Sequence, residues 1–369
     1  DPESGRLRQV DLPIDAEDLC FDLDGSAYLR AYPGVVRYEP GIWREIPFDY
    51  GEEMTIGKQK VMGALPLPSN HLGWHQGGIG ISPKGHLAIG CLYDLDTKAA
   101  SVKSRGESIE AGAGRPYMPM LYPGRNTAYN YGAIYVHVWD KHGKLMYDDA
   151  IPGVGYTHGI CMDARDNLYV LEVGRRVLDG KNYHNVASCT VMKMKPKAGK
   201  IISTSGAPVP VSPDARPNRP PDLEKTFGQA WVEGADWFYG GIGWDLKKGT
   251  GCSCWNARIA LDGFARTFAP EIDRNSIAVL DSNGNLILRV GRYGNVDDGQ
   301  ALVAAGGPPN PRSIGGDEVS LMYGMYPAVH SDRRLFVADG GNYRVLSVKL
   351  GYHAEEKVAL KEVKDEEKK

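Results

Sequence analysis

The stretch GICMDARDNLYVLEV, residues 159–173, reads as a short apolar strand, a tight turn over Asp163 to Asn167, and a second, alternating strand. Asp and Asn between β-branched and aromatic runs are turn formers, so the physical translation is a two-strand hairpin. The unit recurs. DLCFDLDGSAYLRA carries Asp22 at the aligned place, GIGISPKGHLAIGCL carries Ser82, ARIALDGFARTFAPE carries Asp262, and PAVHSDRRLFVADGG carries Asp332. A second hairpin follows most copies, turning at Pro40-Gly41, at Lys141-His142-Gly143, near Ala198-Gly199 and at Ser282-Asn283-Gly284. Two consecutive hairpins form a four-stranded antiparallel meander, the unit of a propeller blade. No segment of about 12 residues or more carries a 3.6-residue apolar period. The expected fold is all-β: a single β-propeller of five or six four-stranded blades with long loop insertions.

The recognisable blades cover about residues 14–50, 77–150, 157–204, 256–291 and 325–350. They lie farther apart than the roughly 40–50 residues of compact blades. The excess falls in Pro/Gly/Tyr-rich stretches, at 50–76, 98–130, 205–255 and 297–324. The last copy supplies three strands, and the opening stretch LRQVDLP (residues 7–13) is expected to complete it, residues 6–12 pairing with Arg344–Lys349 to close the ring over residues 1–353. Residues 354–369 read as a charged, solvated tail.

Composition narrows the partners. Lys and Arg number 43 against 46 Asp and Glu, so nothing drives the chain electrostatically toward nucleic acid. No apolar run reaches the roughly 18 residues of a membrane-spanning helix, and membrane insertion is not expected. There is no nucleophile elbow, no phosphate-binding loop and no dinucleotide fingerprint.

The phrases DNLYVLEVGRRV, LFVADGGNYRVLSV and RNSIAVLDSNGNLILRVGRYGN resemble NHL-type β-propeller repeats. The resemblance implies a propeller, commonly six-bladed, that takes ligands on one face or in its channel. The family includes peptidyl-hydroxyglycine amidating lyases, lactone hydrolases and binding modules without catalysis, so the fold does not choose among them. NHL-like proteins with similar insertions are large secreted bacterial proteins, which implies a secreted or periplasmic location. YTHGICMD, residues 156–163, is also similar to the amidating-lyase inner strand, whose His binds zinc. That likeness implies a metal or acid/base position at His158.

Propeller inner strands border one channel, so residues entering them converge on one mouth. The repeat register puts Glu17, His158 and Asn256 there, with His75, Arg258 and Tyr326 beside them. Glu17, His158 and Arg258 are the catalytic candidates, with Arg258 steadying an anionic group. The bland reading of His158, a histidine hydrogen-bonded in the channel wall, is favoured. His71 and His75 have H-x-x-x-H spacing, but their Gly/Pro-rich setting argues against a helical zinc pair. Cys252 and Cys254, in GTGCSCWNAR, suit a disulfide or free thiols, or a soft metal together with His75 and His158. Cys20 and Cys161 occupy equivalent inner-strand places and read as small buried residues, as do Cys91 and Cys189. Without a C-x-x-C-H motif, covalent c-type haem is excluded; a divalent or copper/zinc-type ion is the cofactor these residues would suit. Trp244 and Trp255, with Asn256 and Tyr326, are the ligand-binding candidates. The expected partner is a small molecule, a glycan or a protein. The expected function is ligand binding at the channel mouth and aromatic loops; the alternative is a metal-assisted lyase or hydrolase.

Overall fold

A computed structural model describes residues 9–67, 78–92, 134–155, 157–183, 188–204, 215–225, 228–243, 257–294 and 319–351. Among them, five antiparallel sheets begin with the expected hairpins. The first runs Asp18–Phe21, Ala27–Ala31, Gly34–Glu39, with Arg44–Glu45 on its outer side. The second is a complete meander of Gly78–Ile81, Leu87–Leu92, Ile134–Trp139 and Leu145–Tyr147. The third comprises Thr157–Met162, Leu168–Glu172, Cys189–Met194 and Ala235–Ile242, and the fourth Ala260–Leu261, Thr267–Glu271, Ser276–Leu280 and Leu286–Val290, the two joined into one eight-stranded sheet where Ile242 pairs with Glu271. The last has Gly324–His330, Arg334–Asp339 and Arg344–Lys349.

One turn builds four of the inner hairpins. The side-chain oxygen of Asp22, Ser82, Asp163 or Asp262 accepts the backbone N–H groups two and four residues on. Asp140 and Asp281 do the same in the outer hairpins. In all six turns the residue three places on has positive φ, and in four of them it is glycine. This is the physical content of the repeat: a short acceptor side chain satisfies donors that the turn strips from the ladder.

The innermost strands stand side by side. A Cβ on Gly78 would lie 2.8 Å from the Ile160 nitrogen, and one on Gly80 would lie 2.5 Å from the Ile160 carbonyl oxygen. Glycine at both places therefore lets two inner strands approach closely. The Cys161 thiol donates to the Ile259 carbonyl, and the Arg258 N–H donates to the Met325 carbonyl. These contacts link the third sheet to the fourth and the fourth to the last. Apolar clusters fill the gaps between sheets: Tyr28, Val35, Ile79 and Ile89 between the first two, Val136, Val138, Ile160 and Val170 between the next, and Phe268, Val279, Leu335 and Val337 between the last two. Meanders packed face to face around adjoining inner strands make the chain an all-β propeller.

Two expectations are corrected. The third blade does not end with the strand after Ala198-Gly199. Lys200–Ser203 instead joins Arg175–Leu178, Lys181–Asn182, Leu223–Lys225 and Gly228–Glu233 in a separate five-stranded sheet. Ala235–Ile242 takes the fourth place because its register opposite Cys189–Met194 runs the whole strand length. The stretch 50–76 is also no simple loop, since Glu52–Ile56 and Gln59–Pro66 form a hairpin on the first sheet. Of the expected closing strand, residues 6–8 lie outside the described residues and 9–12 belong to no strand. Among the described residues no helix is long and apolar enough to cross a membrane.

Candidate functional site

The entry ends of the inner strands meet through two arginines. Arg258, leading into the fourth sheet, donates from Nη1 to the His158 carbonyl of the third and from Nη2 to the Asp18 carboxylate of the first, at 3.3 Å. Asp18 and Arg258 are 240 residues apart in sequence, and each side chain is about four-fifths buried. Arg30, at the far end of the second strand of the first sheet, is fully buried. Its Nη1 donates to the Gly90 carbonyl at 2.7 Å and reaches the Gly78 carbonyl at 3.4 Å, stitching the first sheet to the second. The Glu17 carboxylate lies 3.9 Å from Arg30 Nε. Burial lowers the Arg30 pKa from its usual range, with Glu17 and Asp18 opposing the shift.

Tyr326 completes this mouth from the last sheet. Its ring is 44% exposed, while its phenol is pushed up by desolvation, against Arg258 and with Asp18. A ring half in water with its hydroxyl end beside an ion pair offers an apolar face and a polar edge together. The Asp18–Arg258 contact is made through a single nitrogen. A one-point pair is weaker than the bidentate fork that guanidinium and carboxylate can form. The mouth thus presents two carboxylates, the Arg258 guanidinium and one aromatic face, with Arg30 buried behind them.

Deeper in the channel, Cys20 and Cys161 are partly accessible along the inner strands but electrostatically enclosed. Burial raises the Cys161 thiol to about 12, and burial followed by Asp18 and Cys161 raises Cys20 well above its ordinary value. Both are poor thiolates. None of Cys20, Cys91, Cys161 and Cys189 is in a disulfide.

His158 is buried, and Cys189 Sγ lies 3.9 Å from its Nδ1. Cys189, expected to be a strand filler, is paired with it. A buried charge that the sequence does not single out closes the second strand at the mouth end of the third, fourth and last sheets: Glu172, Glu271 and Asp339. Glu172 pairs with Lys225 of the five-stranded sheet at 2.6 Å, Glu271 with Arg289 at 2.6 Å, and Asp339 with Arg344 at 3.4 Å. The only sequence signal was a charge closing an apolar run.

Of the expected site residues, Glu17, Arg258 and Tyr326 meet here with Asp18, whereas His158 takes part through its backbone carbonyl and its side chain is buried beside Cys189. His75, Trp244, Cys252, Cys254, Trp255 and Asn256 lie outside the described residues. Among the described residues no three His, Cys, Asp or Glu side chains gather as a metal-binding group.

No family model matches the chain. No curated protein matches it either. Among solved structures, the chain is similar to regucalcin, a calcium-binding protein from Agrobacterium tumefaciens, at 14% identity and a TM-score of 0.38, over 94% of this chain and 79% of that one. It is similar to a chain of a nidogen/laminin complex at 10% identity and a TM-score of 0.38, over 90% and 75%. It is similar to a streptogramin B lyase at 10% identity and a TM-score of 0.33, over 91% and 83%. Likenesses at this level say nothing of ligand or activity.

Proposed function

We propose that this propeller is a binding protein whose channel mouth takes a polyhydroxylated ligand of the carbohydrate class. The observation that carries the reading is the half-exposed Tyr326 ring standing beside the one-point Asp18–Arg258 pair. Sugars present an apolar C–H face to an aromatic ring and hydroxyls that both donate and accept. A guanidinium beside a carboxylate meets both needs, with the charges nearly balanced. Glu17 adds a second acceptor, about a third exposed. We further propose that the protein works outside the cytoplasm, which fractionation of the source cells tests directly.

Binding to an immobilised panel of neutral and acidic glycans, followed by calorimetry on the hits, tests the reading. A ligand whose affinity falls at least tenfold in both Tyr326→Ala and Arg258→Met supports it. Glycan binding that neither substitution weakens overturns the assignment to this mouth, and absence of any glycan binding overturns the ligand class.

A further inference from the structure

We infer that His158 and Cys189 form a binding site for a monovalent soft cation of the copper(I) class, separate from the carbohydrate reading of the mouth. Both residues stand at the mouth end of the third sheet, at the starts of Thr157–Met162 and Cys189–Met194. Cys189 is fully buried and His158 nearly so, with Sγ and Nδ1 3.9 Å apart. Zinc(II), which shares copper(I)'s closed d-shell and row, sits about 2.0 Å from imidazole nitrogen and about 2.3 Å from thiolate sulfur. Spanning the observed separation with those bonds gives an N–metal–S angle of roughly 130°. That is wider than tetrahedral and suits a low-coordinate ion.

Charge selects the same class. Among the described residues, the cluster that contains Cys189 is apolar, with Leu171, Val191, Ile242, Ala257 and Met325 in it and the Tyr323 ring packed against it. On Gly243 a Cβ would come within 3.7 Å of the sulfur and 2.7 Å of the Ala257 Cβ, so the wall is close-packed. One thiolate, one neutral imidazole and a monovalent ion sum to zero. A divalent ion would leave a net positive charge in this apolar wall, at a desolvation cost of several kcal/mol. Zinc also favours four donors, whereas thiolate and thioether sulfur select copper(I). Met325, buried in the same cluster, is a soft thioether. Binding balances as loss of the Cys189 thiol proton to solvent and formation of one metal–sulfur and one metal–nitrogen bond. The imidazole stays neutral with its proton on Nε2. The Arg258 bond to the His158 carbonyl holds the ligand's backbone in place.

The test uses the full chain with Cys252→Ser and Cys254→Ser, so that the C-x-C pair cannot contribute. Copper(I), made with ascorbate under argon, is titrated against bicinchoninate. One equivalent should bind, be lost in Cys189→Ala, and weaken at least tenfold in His158→Gln, with circular dichroism showing the fold intact. Excess zinc should not displace it. X-ray absorption of the copper-loaded protein should show sulfur and nitrogen scatterers together, a measurement that stands even if Cys189→Ala does not fold. Sulfur scatterers alone, undiminished stoichiometry in folded Cys189→Ala, or displacement by zinc would each overturn the site.

Discussion

Replacing Lys225 by Met should loosen the five-stranded sheet from the propeller. The Lys225 ammonium lies 2.6 Å from Glu172 Oε1, both side chains being more than nine-tenths buried, and the Gly155 N–H donates to the same oxygen at 3.2 Å. At an effective dielectric of about 20, the pair's attraction at that distance is roughly 6 kcal/mol, most of it offset by stripping water from both ions. The pair as a whole therefore adds little over an apolar contact. Removing one member is different, because it leaves a buried carboxylate without its countercharge, at a cost of about 3–5 kcal/mol. Met matches the lysine stem and keeps its packing, which isolates the charge. The assay is amide exchange across 175–183 and 215–233, with urea unfolding in parallel. A loss of 3 kcal/mol or more speeds exchange there by roughly 100-fold or more if opening is local. Adding Glu172→Gln should restore most of the protection. Exchange within threefold of wild type in Lys225→Met, or no recovery in the double variant, would refute this reasoning.

Ala265 sits at the positive-φ place of its turn, where Gly25, Gly85, Gly143 and Gly284 sit in equivalent turns. Left-handed backbone costs a non-glycine residue about 1–2 kcal/mol, and the extra freedom of unfolded glycine returns about 0.5–1. Ala265→Gly should thus stabilise by about 0.5–1 kcal/mol in denaturant unfolding, and any destabilisation would contradict that sum. The raised Cys20 and Cys161 thiols should react with iodoacetamide in the native state at under a hundredth of the rate of an unfolded control at pH 8; comparable rates would mean the channel does not enclose them. Asp281 has its carboxyl held below the usual range, first by the Asn285 side-chain amide and then by turn N–H groups. A depressed folded-state pKa contributes above the unfolded value near 3.9 and is lost as pH falls through the folded value. Wild type should therefore lose stability relative to Asp281→Asn as pH falls below about 4, while parallel acid curves would count against the carboxylate's role.

The blade hairpins were legible because one local task demands one residue type. An acceptor must reach N–H groups two and four residues ahead, and Asp22, Ser82, Asp163 and Asp262 do so in the same way. Asp332 aligns with them but does not share the turn: its N–H donates to His330 Nδ1, and the hairpin pairs His330 with Arg334. That tighter turn shifts the register, so buried Pro327 holds the aligned place while Tyr326 faces the mouth. The five-stranded sheet was not legible, since its short strands have partners fixed by tertiary packing and not by sequence neighbours. Nor were the buried pairs of Glu172 and Glu271, because a charge ending an apolar run reads the same whether its partner is water or Lys225. Arg258 and Tyr326 were reached only through the cyclic repeat, which alone brings such distant positions together.

That convergence is the central claim, and a double-mutant cycle on Asp18→Asn and Arg258→Met, followed by denaturant unfolding, tests it most directly. The two side chains meet at 3.3 Å although 240 residues separate them. In contact they should couple by about 0.5–1.5 kcal/mol, with the double variant less destabilised than the sum of the singles. Additivity within about 0.3 kcal/mol would contradict a shared mouth.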